Sequence, residues 1–112
     1  MTTRSSLPVK RRSETFTVWL GVEPYIVTCG FYPDGRLGEV FVSGSKSGFA
    51  TETVARDGAV VLSIALQYGA PIEVIAGAIT RDDLGEPTSI IGEVLDKIME
   101  LRKEDAAKES PS

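Results

Sequence analysis

The segment from Gly44 to Gly48, with the sequence Gly-Ser-Lys-Ser-Gly, carries residue types that commonly hold a small anion. It follows a predicted strand and precedes a predicted helix, where free backbone N–H groups and the positive end of the helix dipole attract negative charge. Lys46 would add a positive charge, and neighbouring hydroxyl groups could donate hydrogen bonds. Because the spacing does not match the phosphate-binding loop G-x-x-x-x-G-K-[ST], a plain solvated loop is the alternative. The candidate anion or nucleotide site comprises Gly44, Ser45, Lys46, Ser47, Gly48 and Thr51.

Most catalytic and metal-binding chemistry is excluded by residue types that the sequence lacks. There is no histidine, so the commonest general acid–base and every Ser-His or Cys-His nucleophile arrangement are absent. A single cysteine without histidine cannot provide a zinc or iron–sulfur site. The pair Asp82-Asp83 lies in a polar loop, which favours plain solvation over catalysis. The sequence therefore assigns no catalytic residue, no metal ligand and no bound cofactor.

The single cysteine, Cys29, alternates with Tyr25, Val27 and Phe31 along a predicted strand. This pattern places Cys29 on an apolar face, so a buried core cysteine is favoured over a reactive thiol. One cysteine also excludes an internal disulfide and is typical of a reducing cytosol. We therefore expect a cytoplasmic protein with an unreactive thiol.

Charge is distributed unevenly along the chain, whose formal net charge is −4. The first 13 residues contain four basic residues and no acid, so the rest of the chain carries −8. An acidic body repels nucleic-acid phosphates, which disfavours a nucleic-acid partner. No apolar run reaches the roughly 18 residues that cross a bilayer, so no membrane partner is expected. We interpret residues 1–13 as a disordered basic leader and residues 104–112 as a disordered polar tail.

Between these ends, the pattern of apolar residues in the first half of the chain predicts three strands. Residues 14–20 alternate between apolar and polar side chains, and residues 25–32 and 39–43 are rich in β-branched and aromatic side chains. The turns at residues 21–24 and 33–36 are short, so consecutive strands should pair antiparallel as a β-meander.

After the third strand the hydrophobic period changes to that of helices, which are predicted at residues 51–69, 71–79 and 88–103. Thr51 is a candidate N-cap of the first helix, Thr88 or Ser89 of the last, and Gly69 is a candidate C-terminal stop. The predicted fold class is α+β, with a three-stranded antiparallel β-meander followed by three α-helices packed on one sheet face. The folded domain is expected to span residues 14–103.

Two longer motifs carry a resemblance to a known family. Residues 32–42, Tyr-Pro-Asp-Gly-Arg-Leu-Gly-Glu-Val-Phe-Val, resemble the pattern Y-x-D-G-R-x-G-E-(I/V)-F-(I/V). Lys46 and Gly48 follow at the spacing of a K-x-G loop. Residues 63–74, Ser-Ile-Ala-Leu-Gln-Tyr-Gly-Ala-Pro-Ile-Glu-Val, are similar to S-x-A-L-Q-x-G-x-P-(L/I)-E-x-(I/L). Both patterns resemble the TSCPD domain of adenosylcobalamin-dependent ribonucleotide reductases, and the resemblance spans about residues 14–101.

The resemblance implies an accessory role rather than catalysis by this chain. The T-S-C-P-D string itself is partly present, as Thr28-Cys29 with Pro33-Asp34 after it, so no metal or redox role is transferred to Cys29. The resembled reductases need a thiyl-forming cysteine and a reducing cysteine pair, whereas this chain has one thiol and is too short for their barrel. Adenosylcobalamin is therefore implied only for the full-length reductases. Residues 85–96 resemble the tail of short free-standing members.

Three hypotheses about function follow. The leading one is an accessory or binding module in deoxyribonucleotide supply, which contacts a ribonucleotide reductase or holds a nucleotide phosphate. The alternative is a purely structural interaction protein without a ligand, such as a homodimer that shares a sheet edge. The third is a weak nucleic-acid binder that acts through the basic arm.

Overall fold

The sheet is a three-stranded antiparallel meander, as the sequence predicts. A computed structural model of the chain describes residues 3–44 and 50–109. The strands lie in the order in which they occur in the chain, as β1 (Ser13–Leu20), β2 (Glu23–Phe31) and β3 (Leu37–Gly44). The first turn is tighter than predicted, because Glu23 and Pro24 belong to β2 and leave a two-residue loop.

The strand register sorts the side chains onto two faces of the sheet. Phe16 is paired with Val27, which is paired in turn with Val42, and directly paired residues point to the same side. The buried side chains of this inner face are Val18, Tyr25, Val27, Cys29, Val40 and Val42. The large apolar side chains of the opposite, outer face are Trp19, Ile26 and Phe41.

In the described part of the chain three helices follow the sheet, namely α1 (Ala50–Gln67), α2 (Ile72–Ala78) and α3 (Ile90–Glu109). Gly69 ends α1 as predicted, since it adopts a φ of 93° and its N–H donates to the Leu66 carbonyl at 3.0 Å. Ser89 is the N-cap of α3, and its Oγ accepts a hydrogen bond from the Gly92 N–H at 3.1 Å. This helix continues past its predicted end at residue 103, because the following alanine and charged residues also favour helix.

Of the described helices, α1 and α3 pack against the inner face and α2 packs on α3, which confirms the predicted α+β fold class. Helix α1 packs mainly on β3, and α3 packs on β1. The largest fully buried side chains are Val27, Val40, Val94 and Leu95. Within the described residues, no helix combines the length and the apolar character needed to cross a membrane.

Residues 3–12, which the composition predicts to be a disordered leader, lie against the body of the domain. The Ser5 N–H donates to the Gln67 carbonyl at 2.8 Å, and the Ser5 carbonyl accepts from the Tyr32 hydroxyl at 2.6 Å. Arg11 forms a two-point ion pair with the buried Glu39 carboxylate, in which Nη2 and Oε1 are 3.1 Å apart. These contacts connect the segment to α1, to β3 and to the start of the β2–β3 turn.

Helix α1 closes the outer edge of β3 through two of its side chains. Ser63 Oγ accepts a hydrogen bond from the Val40 N–H at 2.8 Å and donates one to the Val40 carbonyl at 3.1 Å. One helical turn later, Gln67 Nε2 donates to the Gly38 carbonyl at 2.9 Å. The helix therefore satisfies main-chain groups that an edge strand would otherwise expose.

Candidate functional site

The predicted anion loop is described only at its two ends. Outside the described residues lie Ser45, Lys46, Ser47 and Gly48. Gly44 ends β3 and is half-buried beside the Tyr25 ring. Thr51 is exposed in the first turn of α1, which begins at Ala50, so Thr51 is not the N-cap that the sequence predicts.

A buried acid lies beside both described ends of this loop. Glu52 follows Thr51 in the first turn of α1, and a Cβ atom at Gly44 would lie 3.3 Å from its Cγ. Arg56 Nε pairs with Glu52 Oε1 at 2.5 Å. The carboxylate places negative charge at the positive end of the helix dipole, and Arg56 compensates part of that charge. The anion site stays a prediction.

Two charged residues of the first motif, Asp34 and Arg36, hold its turn together. Asp34 Oδ1 accepts a hydrogen bond from the Arg36 N–H at 3.0 Å, and Oδ2 accepts one from Arg36 Nε at 2.7 Å. These two bonds hold the pKa of the Asp34 carboxyl below its ordinary value. The Arg36 guanidinium also stacks over the Tyr32 ring, 4.6 Å from its centre. These residues therefore stabilise the β2–β3 turn.

The two motifs that carry the family resemblance contact each other directly. Ser63 and Gln67 belong to the second motif, and their hydrogen-bond partners Val40 and Gly38 belong to the first. Each motif thus includes residues whose role is to join α1 to β3. One signal for this arrangement is visible in the sequence, namely a serine and a glutamine four residues apart in the otherwise apolar second half of α1.

Phe41 is the large apolar residue of the first motif that the fold leaves most exposed, at 57%. It lies on the outer face of the sheet with Trp19 and Ile26, which are 57% and 47% exposed. The register places these three residues on a diagonal across the strands, within reach of one another. We call them the outer-face patch. This exposed apolar patch is a candidate docking surface.

A groove continues the outer-face patch around the edge of β3. Its volume is about 600 Å³, and its apolar lining includes Ile26 and Phe41 from the sheet and Val60 and Ile64 from α1. The charged lining residues are Arg4, Glu39 and Arg56. An apolar groove with a few charged groups is a common form of binding site.

A smaller cavity, of about 240 Å³, lies between the start of β1 and the end of α3. Its basic lining residues are Arg12, Arg36 and Arg102, and its acids are Glu14 and Asp105. Arg36 is paired with Asp34, and Arg102 Nη1 is 3.5 Å from Glu73 Oε1. Much of the positive charge of the lining is therefore already compensated. The cavity therefore has little preference for an anion.

Cys29 lines this cavity from within the sheet and is 2% exposed, as its position in the strand pattern predicts. Burial, and to a smaller extent the charge of Glu14, raises the pKa of its thiol to about 12. Among the described residues, no group of three or more histidine, cysteine or carboxylate side chains could hold a metal ion.

The thiol of Cys29 should react at least about 100-fold more slowly with an alkylating reagent in the native protein than in the unfolded chain at pH 8. The thiolate is the reacting form, and both the raised pKa and the burial suppress it. Timed labelling followed by mass spectrometry, with and without denaturant, measures the ratio. Stoichiometric modification of the native protein at the unfolded rate would contradict this prediction.

The sequence model of the TSCPD domain matches residues 3–102 of the chain. The chain belongs to the TSCPD domain family. This match confirms the resemblance that the two motifs predict. It also begins before β1, so the part of the chain that matches the TSCPD domain includes the segment packed on α1 and β3.

The curated relatives of this TSCPD domain are much longer proteins, each named vitamin B12-dependent ribonucleotide reductase. The relative from Bradyrhizobium diazoefficiens is 34% identical over 80 residues, which cover 71% of this chain and 6% of that protein. The relative from Rhodopirellula baltica is 39% identical over 72 residues, or 64% of this chain and 7% of that protein. The relative from Streptantibioticus cattleyicolor is 34% identical over 78 residues, which cover 70% of this chain and 13% of that protein. The TSCPD domain is thus related to a small part of these reductases, and no solved structure matches it significantly.

Proposed function

We propose that this TSCPD domain is an accessory protein-binding module in ribonucleotide reduction. Its partner would be a vitamin B12-dependent ribonucleotide reductase, and the contact surface would be the outer-face patch. The similarity to part of such reductases supports a role in ribonucleotide reduction. The exposed patch supports contact with a protein as the mode of action.

The observation that carries the proposal is the exposure of Phe41 within a motif whose other residues serve the fold. Asp34 and Arg36 hold the turn, whereas Gly38 and Val40 bond to α1. Phe41 makes no comparable contribution, because more than half of its surface faces solvent. Burying an aromatic side chain against a partner contributes about 1.5–3 kcal/mol, and aromatic residues are enriched at the centres of interfaces.

The proposal assigns the redox chemistry to the partner. Adenosylcobalamin and the reactive cysteines would belong to the reductase, since the one thiol of this chain is buried with a raised pKa. A cytoplasmic location, expected from the single cysteine, is part of the same proposal. The domain would position or stabilise the reductase through contact alone.

Replacing Phe41 with serine should weaken binding to the reductase by at least about 10-fold, because a central aromatic anchor contributes upwards of 1–2 kcal/mol. Titration calorimetry with a purified vitamin B12-dependent ribonucleotide reductase from the same organism measures the change. Leu84→Ser is the matched control, since Leu84 is 87% exposed in a loop away from the patch. Equal affinities of the two variants would refute the patch as the contact surface. The absence of binding by the unmodified chain would favour the purely structural alternative.

A further inference from the structure

We propose that β1 is a dimerisation edge, at which two copies of this chain join their sheets antiparallel into one sheet of six strands. The inference goes beyond the proposed function, because it concerns the edge of the sheet, and of the outer-face patch it involves Trp19 but leaves Ile26 and Phe41 free. It rests on the direction of main-chain groups in the meander, on the closure of the opposite edge, and on the sequence of β1.

The hydrogen bonds of Ser63 fix the direction of the main-chain groups across the whole sheet. Because the Val40 N–H and C=O bond to Ser63, they point away from β2. Cys29 is directly opposite Val40, so its own N–H and C=O point away from β3 and towards β1. The N–H of Phe31, two residues later, donates to the Arg12 carbonyl at 3.0 Å, as this alternation requires.

The same alternation determines which residues of β1 face the open edge. Glu14, Phe16 and Val18 are opposite Cys29, Val27 and Tyr25, so their main-chain groups bond to β2. The main-chain groups of the intervening residues therefore point outwards, and their side chains are also exposed. These outward-facing residues are Ser13, Thr15, Thr17 and Trp19.

The edge of β1 lacks the features that protect the edge of β3. Helix α1 covers the edge of β3 with Ser63 and Gln67. The one register shift in the sheet, between Gly30 and Phe31, lies in the pairing of β2 with β3. Along β1 the register with β2 is unbroken, and the strand contains no proline, lysine or glycine. In the part of the chain that the structure describes, no backbone group of another segment bonds to the outer edge of β1. Such an edge is a template for another strand.

A second copy of β1 is the occupant that the strand itself favours. A two-fold axis beside Phe16 would place Thr15 opposite Thr17 of the partner subunit and would engage all four outward-facing residues of each copy. Directly opposed threonines stabilise an antiparallel pair. Glu14 is the one charged residue of β1, and the two Glu14 side chains would be separated by roughly 13 Å along the strands, where their repulsion is screened. The resulting contact is isologous and closes at two copies.

The variant Thr17→Pro tests this inference without disturbing the sheet within one copy. The Thr17 N–H points to the open edge, so proline removes a bond between copies and none to β2, and proline is tolerated at such an edge position. In analytical ultracentrifugation the unmodified chain should have twice its 12.0 kDa mass at tens of micromolar. Thr17→Pro should dissociate with a constant at least about 30-fold higher, because two hydrogen bonds are lost, one per copy. Thr17→Val keeps the N–H and should remain dimeric.

Hydrogen exchange gives a second test that needs no substitution. In concentrated protein the amides of Thr15, Thr17 and Trp19 should be protected, and on dilution below the dissociation constant they should exchange rapidly. The amides of Phe16 and Val18 should stay protected throughout, since they bond to β2. A monomer at all concentrations, or rapid exchange of the outward-facing amides at all concentrations, would overturn the inference. A monomer whose outward-facing amides become protected only with reductase present would assign the edge to that partner instead.

Discussion

Replacing Ser63 with alanine should lower the free energy of unfolding by about 2–6 kcal/mol, which is a large part of the stability of a domain of this size. The Ser63 hydroxyl satisfies both the N–H and the C=O of Val40. Alanine would leave these two groups without a partner at a site where Ser63 is 8% exposed and Val40 is 1% exposed. An unsatisfied buried polar group costs about 1–3 kcal/mol, and here there are two.

Urea denaturation followed by circular dichroism measures the stability of the Ser63→Ala variant. Thr53→Ala is the matched control, because Thr53 lies on the same helix with an exposed side chain. The control should change the stability by less than about 0.5 kcal/mol. Equal stabilities of the two variants would show that Ser63 does not close the edge of β3.

Removing residues 3–11 should destabilise the domain by about 2–4 kcal/mol, because the segment supplies the partner of a buried carboxylate and several hydrogen bonds. Glu39 would lose Arg11, and its side chain is only 10% exposed. Tyr32 would lose the hydrogen bond from its hydroxyl to the Ser5 carbonyl, and Gly38 would lose the overlying Leu7 side chain. The segment should therefore contribute to the fold in spite of its polar composition.

Thermal and urea denaturation of the shortened chain measure this effect. Val9→Ser is a control within the same segment, since Val9 is fully exposed, and it should leave the stability unchanged. Gly38→Ala is a complementary variant. A Cβ there would lie 2.7 Å from both the Leu7 side chain and the Tyr32 ring, so this substitution should displace the segment without shortening the chain. If the shortened chain is as stable as the full one, residues 3–11 are the disordered leader that composition predicts.

The elements of the fold can be predicted from the sequence, because each depends on signals within a few residues. The alternation along β1 and β2 separates the two faces, and it places Cys29 in the core. Gly69 ends α1 and Ser89 begins α3 through hydrogen bonds to residues no more than three positions away. Where the local signal is weaker, the observed end of an element differs from the predicted one. Helix α1, for example, begins at Ala50 and not after an N-cap at Thr51. The family resemblance is carried by motifs of the same local kind.

The roles of the polar side chains, in contrast, depend on how the elements pack together. The bond between Ser63 and Val40 joins residues 23 positions apart, and that between Gln67 and Gly38 joins residues 29 positions apart. No local period encodes such pairs, because they depend on the angle at which α1 crosses β3. The closure of the β3 edge, and hence the exposure of the β1 edge, follows from that packing. The ion pair between Arg11 and Glu39 likewise needs the first residues to lie across the sheet, which composition does not predict.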